Sequence, residues 1–238
     1  MQYLNTVKAI FLSRINRFVA KVLLDSQEIF VHVKNTGRCR ELLICGATVF
    51  LQPKPDNHLG KYKYSLIAVY KDKMLVNMDS SAPNTVVGEA LMGSCDLVPD
   101  MGKIVYMKPE AVFEDSRFDF FVRDEHGREG YIEVKGVTLE ENGVARFPDA
   151  PTVRGIKHLR GLERAYKQGF SATILFVVQM KGCRCFSPNY EGVPEFGDAL
   201  ERAFRNNVSV CAFQCEVDFD YLKLTDKLPL CLRDDRLL

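Results

Sequence analysis

The sequence predicts a mixed α/β chain in two parts: a small β-barrel over residues 1–82, then a mixed sheet flanked by helices over residues 83–238. Three observations predict it. The first part is a series of short apolar runs separated by polar turns, with no strong helical periodicity. From Asn84 onward helical and strand periodicities alternate, as they do in a sheet covered by helices. Charge divides near the same place. Residues 1–75 hold 12 Lys+Arg and 5 Asp+Glu, net +7, and the remainder holds 20 and 26, net −6.

Five strands are expected first, at residues 17–24, 28–34, 47–52, 63–70 and 74–78. Asp25-Ser26-Gln27 and Lys71-Asp72-Lys73 are turns between them. Short, regularly spaced strands close into a small barrel. A basic face studded with aromatics suits a polyanion, because Lys and Arg meet phosphates and Tyr stacks on bases or sugars. The candidates are Arg14, Arg17, Lys21, Lys34, Arg38, Arg40, Lys61, Tyr62, Lys63 and Tyr64. In the Asn35-Thr36-Gly37-Arg38 turn, backbone N–H groups around the glycine and a guanidinium fit a phosphate. A plain hairpin connection is the alternative for that turn.

Asp79-Ser80-Ser81-Ala82-Pro83 reads as a linker, small and polar and ending in Pro. Asn84 reads as the N-cap of a short helix closed by Gly93, with Val86, Val87, Ala90 and Leu91 as its apolar stripe and Glu89 beside it. Strands follow at residues 103–113, 117–123 and 131–138. After them come a helix beyond Thr152, a strand at 172–179, a helix at about 194–206 and a strand at 208–217.

The chemistry concentrates in the second and third of these strands. A charged, glycine-containing turn joins Ser116-Arg117-Phe118-Asp119-Phe120-Phe121 to Tyr131-Ile132-Glu133-Val134-Lys135. A hairpin centred on His126 sets Asp119 directly across from Glu133. Strict alternation puts Arg117, Asp119, Phe121, Tyr131, Glu133 and Lys135 on one face, and Phe118, Phe120, Ile132 and Val134 on an apolar face. Two carboxylates facing each other repel unless a cation lies between them. Lys135 or Arg117 can supply it, and a divalent metal supplies it better, since carboxylate oxygens are the ligands Mg²⁺ prefers.

The helix after Thr152 sets Ile156, Leu159, Leu162 and Tyr166 on one face and Lys157, Arg160, Arg164 and Lys167 on another. Arg154, Lys157 and His158 lie near its start, within reach of the carboxylates. The eight cysteines follow no zinc-knuckle spacing and read as buried or surface thiols. Lys8, Arg14, Arg17 and Lys21 break any secretory signal, and no apolar run approaches the ~18 residues of a membrane span. A cytoplasmic chain with reduced thiols is expected. No phosphate loop, nucleophile elbow or His-rich metal motif appears.

The Asp and Glu-x-Lys hairpin resembles the PD-(D/E)xK nuclease superfamily, with Phe118 where the superfamily's name has Pro. The whole length resembles the sugar fermentation stimulation protein A family. The carrying stretches are Arg17-Phe18-Val19-Ala20, residues 35–42, residues 116–120, Glu133-Val134-Lys135-Gly136-Val137-Thr138-Leu139 and Phe147-Pro148-Asp149-Ala150-Pro151-Thr152. Arg154-Gly155, Lys157-His158-Leu159, residues 172–179 and Gln214-Cys215-Glu216-Val217 continue the match.

The resemblance implies an OB-like β-barrel followed by a restriction-endonuclease-like mixed sheet flanked by helices. It implies DNA as the partner, with RNA as the alternative, and Mg²⁺ or Mn²⁺ as the cofactor. On this reading Asp119, Glu133 and Glu89 hold the metal and Lys135 completes the catalytic set. Arg17, Lys34, Asn35, Arg38, Arg40, Lys61, Lys63, Arg154 and Lys157 contact nucleic acid. The alternative is a non-enzymatic DNA-binding regulator of sugar (maltose) metabolism on a nuclease-like scaffold.

Overall fold

The computed structural model describes residues 1–233 except 36, 56, 58 and 94–96. Its first part is a closed barrel of β1 (Val7–Asn16), β2 (Val19–Leu24), β3 (Gln27–Val33), β4 (Thr48–Pro53) and β5 (Tyr64–Lys71). The strands run in the order β3-β2-β1-β4-β5, and the parallel pairs His32↔Ser65 and Val33↔Leu66 close the ring. A short β6 (Met74–Asn77) extends β5 as a hairpin. Alternate residues turn inward, so Ala9, Phe11, Ala20, Val22, Val31, Val49 and Leu51 fill the barrel.

The barrel therefore contains a strand, β1, that lies ahead of the five expected from sequence. Its pairing with β2 is irregular between Phe11 and Ser13 and again between Arg14 and Asn16. Each irregularity shifts the alternation by a residue, which hides the strand from a period-two reading. Arg14 is a structural clamp. Its guanidinium donates to the carbonyls of Arg17, Asn35, Gly37 and Arg38 at 2.6–2.9 Å.

The second part opens with α1 (Ala82–Met92), followed by β7 (Ile104–Phe113), β8 (Ser116–Asp124) and β9 (Glu129–Val137). Then come a small hairpin, β10 (Leu139–Glu141) and β11 (Val144–Phe147), and the helix α2 (Val153–Lys167). β12 (Ser171–Val178), β13 (Cys185–Pro188), α3 (Pro194–Arg205), β14 (Ser209–Val217) and β15 (Leu222–Lys227) complete it. The main sheet has the order β15-β14-β12-β9-β8-β7. Its centre, β9-β12-β14, is parallel and its flanks are antiparallel.

The parallel strands need cover on both faces, and their apolar runs reflect it. Val86, Val87 and Leu91 of α1 pack on one face with Phe120, Val122, Ile132 and Val134. Leu159 and Leu162 of α2 and Leu200 of α3 pack on the other with Ile174 and Phe176. β10, β11, β13 and β15 lay outside the sequence-based expectation. Three of them have only three or four residues, or pair with a strand remote in sequence, as β13 does with β11. β15 carries charge at Lys223, Asp226 and Lys227, as edge strands commonly do. Cys185 and Cys231 are joined in a disulfide, which corrects the expectation that all eight cysteines are free.

Residues 79–83 form a buried joint and not an open linker. Asp79 has no exposed surface. Its carboxylate accepts from the Lys34 ammonium at 2.8 Å, from Ser81 N–H at 2.9 Å and Oγ at 2.6 Å, and from Tyr3 at 3.4 Å. Gln179, at the end of β12, donates to Asn77 Oδ1 at 2.8 Å and to the Asp79 carbonyl at 3.1 Å. A Cβ on Gly136 would lie 2.5 Å from Gln179 Oε1 and 2.8 Å from Pro83, so only glycine fits there. Lys34 is thus committed to Asp79 and is not a free phosphate ligand. Lys34→Met takes the cation from a buried carboxylate that keeps its neutral donors, and is expected to lower stability by about 1–3 kcal/mol. Urea unfolding reads the change, and an unchanged midpoint would show that the neutral donors alone hold Asp79.

Candidate metal centre and nucleic-acid interface

The β8–β9 register pairs Phe120 with Ile132 and Arg123 with Glu129, which centres the hairpin on His126 as the sequence predicts. Strict alternation then fails at Asp119. Phe118 packs on the α2 side, 3.0 Å from a Cβ built on Gly161, whereas Phe120 belongs to the α1 side. This corrects the expectation that the two phenylalanines share a face. On β7, Glu110, between the partners of Phe120 and Phe118, has a left-handed φ of 54°. Beyond Phe120 the β8–β9 ladder stops. Asp119 takes its place, accepting from the Val134 backbone N–H at 2.7 Å and from Asn84 Nδ2 at 2.8 Å.

Glu133 faces α2 and is 2% exposed. Its Oε1 accepts from Lys135 Nζ and pairs with His158 Nδ1. Arg154 Nε donates to His158 Nε2 at 3.3 Å. An Arg N–H only donates, so Nε2 is the acceptor and Nδ1 carries the proton toward Glu133. Glu133 Oε2 is buried and has no hydrogen-bond partner.

The two carboxyls titrate in opposite directions. Burial first, and the Glu133 charge second, raise Asp119 above its ordinary value against the donors Val134 and Asn84. Burial also pushes Glu133 upward, but His158 and Lys135 outweigh it and leave that carboxyl below its ordinary value. This is the pattern of like charges close together in a low-dielectric site, with compensation given to one of them.

Glu89 is not brought to this pair. It is exposed, and its carboxylate accepts from the Met1 amino group at 2.7 Å. Asn84 lies five residues earlier, about 140° round the helix, and takes the inward position instead. The sequence pattern places Asn84 at the cap, but α1 begins at Ala82 with Ser81 as its cap, which frees the Asn84 amide for Asp119. Among the described residues no three His, Cys, Asp or Glu side chains converge as a metal site. Asp119, Glu133 and the backbone at Val134 remain. Mg²⁺ keeps several waters and is commonly held by one or two carboxylates, so this donor set fits it. The unpartnered Glu133 oxygen is the atom that a cation would satisfy.

The basic residues divide. Arg17, Arg38, Arg40, Lys61 and Lys63 are exposed on the barrel. In the 35–38 turn, Gly37 N–H donates to Asn35 Oδ1 at 2.8 Å and Arg38 N–H to Asp149 Oδ2 at 3.0 Å. These two N–H groups are therefore committed inside the protein, and Thr36 lies outside the described residues. On α2, Lys157 binds the Asp115 carbonyl at 2.6 Å, and Arg164 pairs with Glu114 and Asp115. Arg154 is exposed and contacts the site through His158. The basic stripe is thus partly neutralised by the β7–β8 turn.

A five-stranded barrel joined to a mixed sheet with a carboxylate hairpin defines an OB-fold protein carrying a restriction-endonuclease-like domain. Residues 12–78 match the SfsA N-terminal OB domain, and residues 81–221 match the sugar fermentation stimulation protein RE domain. The chain belongs to the sugar fermentation stimulation protein family. It is 48% identical over 232 residues to the homolog of Clostridium beijerinckii, covering 98% of this chain and 100% of that one. It is 45% identical over 236 residues to the homolog of Alkaliphilus oremlandii, covering 98% and 100%. The structure of Pyrococcus furiosus SfsA in complex with Ca²⁺ superposes with a TM-score of 0.85 at 26% identity, covering 98% of both chains.

The raised Asp119 pKa favours the neutral acid in the native state. Its contribution is fully present below the ordinary carboxylate value and is lost as pH rises through the raised value. At neutral pH the ionised group is therefore a net cost. Asp119→Asn is expected to melt at least as high as the unaltered protein at pH 7, with the difference disappearing toward pH 4. Thermal melts across that range decide it, and a variant that is less stable at pH 7 would contradict the assignment.

Proposed function

We propose that this protein binds nucleic acid, DNA first, and carries a divalent-metal phosphodiesterase site at Asp119 and Glu133. The observation that carries the reading is Glu133 Oε2, a buried and unpartnered carboxylate oxygen next to a second carboxyl whose ionisation its charge opposes. A hard cation relieves both conditions, and Mg²⁺ or Mn²⁺ suits oxygen donors. The Ca²⁺ complex of the Pyrococcus furiosus relative supports a hard cation. No helix of the described residues is long and apolar enough to cross a membrane.

Asp119 and Glu133 would hold the metal, and the Val134 carbonyl would be a third oxygen ligand. When bound, the metal polarises the phosphate and lowers the pKa of a water. His158 fixes the rotamer of Glu133 by occupying Oε1, which leaves Oε2 free to bind. Lys135 places a positive charge where a phosphoryl oxygen gains negative charge in the transition state. On the barrel, Arg38 and Arg40 are exposed and available to backbone phosphates.

The second reading is a non-enzymatic DNA-binding regulator on the same scaffold. The specific observation in its favour is that Lys135 is engaged with Glu133 and that Glu89 is turned away.

Single- and double-stranded DNA and RNA, each incubated with Mg²⁺, Mn²⁺ or chelator, separate these readings. Metal-dependent cleavage is expected, and Asp119→Asn is expected to abolish it together with the thermal stabilisation by Mn²⁺. Lys135→Ala is expected to retain the Mn²⁺ stabilisation and lose cleavage. Binding without cleavage establishes the regulator. No binding to any of the four overturns both.

Affinity is expected to fall with salt at a slope of about −0.9 per phosphate contact on duplex DNA. Arg38→Ala and Arg40→Ala are each expected to reduce that slope by about one, equally on unrelated sequences. Titrations at several salt concentrations read it, and a slope left unchanged by either variant removes that residue from the interface.

A further inference from the structure

We infer that a cavity on the outer strands of the main sheet is a base-stacking site for single-stranded nucleic acid. The inference rests on the nucleic-acid reading above and adds strandedness to it. The cavity holds about 500 Å³ and is lined by Tyr106, Lys108, Ala111, Val112, Phe121, Arg123 and Tyr131. None of these is acidic.

Three aromatic rings form its wall. Tyr106 and Phe121 have centroids 6.3 Å apart at 70°, and Phe121 and Tyr131 5.3 Å apart at 65°. Two cations stand beside them. Arg123 Cζ lies 5.7 Å from the Tyr106 centroid, and the guanidinium also pairs with Glu129 at 2.7 Å. Lys108 is exposed, and no hydrogen bond or ion pair engages it among the described residues. Tyr106 is 46% exposed and Val112 69%. The strand β7 forms the edge of the sheet here.

The chemistry selects the occupant. The exposed Tyr106 ring, backed by the half-buried Phe121 and Tyr131, presents a π face to a flat group, and neighbouring cations meet its phosphate. A base inside a duplex is already stacked on both sides, so a single strand is the form that gains. The position is apt as well. Tyr131 and Glu133 lie on the same side of β9, about 7 Å apart along the strand. A second copy pairing edge to edge through β7 is the competing occupant. An antiparallel pairing centred near Lys108 would set its exposed ammonium against that of the other copy, and like charges across an interface disfavour it.

The test measures binding of a labelled 20-nucleotide oligonucleotide (an arbitrary probe length of about two helical turns) and of its duplex. The proteins are the full-length chain, Tyr106→Ala, Tyr106→Phe and Lys108→Gln, assayed with chelator. Tyr106→Ala is expected to weaken single-strand binding about 5- to 150-fold, the range for losing one base stack. Duplex binding is expected to change less than about twofold, and Tyr106→Phe to restore the single-strand affinity. Lys108→Gln is expected to lower the single-strand salt slope by about 0.7.

If the unaltered chain binds single strands and Tyr106→Ala binds them equally well, the stacking site is wrong while the nucleic-acid reading stands. If the unaltered chain binds neither form, the nucleic-acid reading itself fails. A dimer that Tyr106→Ala converts to monomer, measured by sedimentation, assigns the surface to a second copy and overturns the inference.

Discussion

Two carboxylates set side by side within one sheet are the constraint on which the rest of this domain turns. In a low-dielectric interior a pair of like charges is strongly unfavourable, and each must be compensated or neutralised. The protein treats them unequally. Glu133 receives two strong partners, Lys135 from its own strand and His158 from α2. Asp119 receives two neutral donors, a backbone N–H and the Asn84 amide. One carboxyl therefore stays ionised easily and the other resists. The compensation also ties two of the helices to the sheet, because α1 supplies the Asn84 amide and α2 supplies His158.

The same interior logic joins the two parts of the molecule. Asp79 is a buried carboxylate at the end of the barrel, and its partners come from three places: Tyr3 near the N-terminus, Lys34 after β3 and Ser81 before α1. Gln179, one residue past β12, completes the network through Asn77. Removing any one partner leaves a polar group unsatisfied away from water. A hydrogen-bonded joint of this kind fixes how the barrel meets the sheet. A second ion pair from Lys71 to Glu140, at 2.6 Å, acts in the same sense.

Much of the architecture was legible in the residues. The hairpin register followed from the turn chemistry around Gly127, whose φ of 80° suits glycine, and the centre on His126 fell where the polar residues put it. Helix α2 showed its apolar stripe plainly, and its Thr152 side chain accepts from Gly155 N–H at 3.0 Å as a cap should. The residues that surround the carboxylates were less legible. Asn84 looked like a cap because Asn at a helix start usually is one, and its true role depends on where Asp119 arrives from a strand 35 positions away. His158 had no local partner in sequence. Its partners are Arg154 one turn earlier and Glu133 across the sheet. Glu89 held the right place in the order of elements but the wrong angle on the helix.

What the sequence by itself determined was the alternation of elements, the register that centres the hairpin on His126, and the division of charge between the two parts. These follow from local rules: periods of two and 3.6, turn residues and composition. What only the tertiary structure decided was which basic groups remain available. Lys34, Lys157 and Arg164 are engaged by Asp79, Asp115 and Glu114, whereas Arg38, Arg40 and Lys108 are exposed. The tertiary structure also decided the break in alternation at Asp119, which lies opposite the left-handed Glu110 of a neighbouring strand. A side chain's charge is written in the sequence, but its partner is set by distance in space, and distance in space is a property of the whole packed chain.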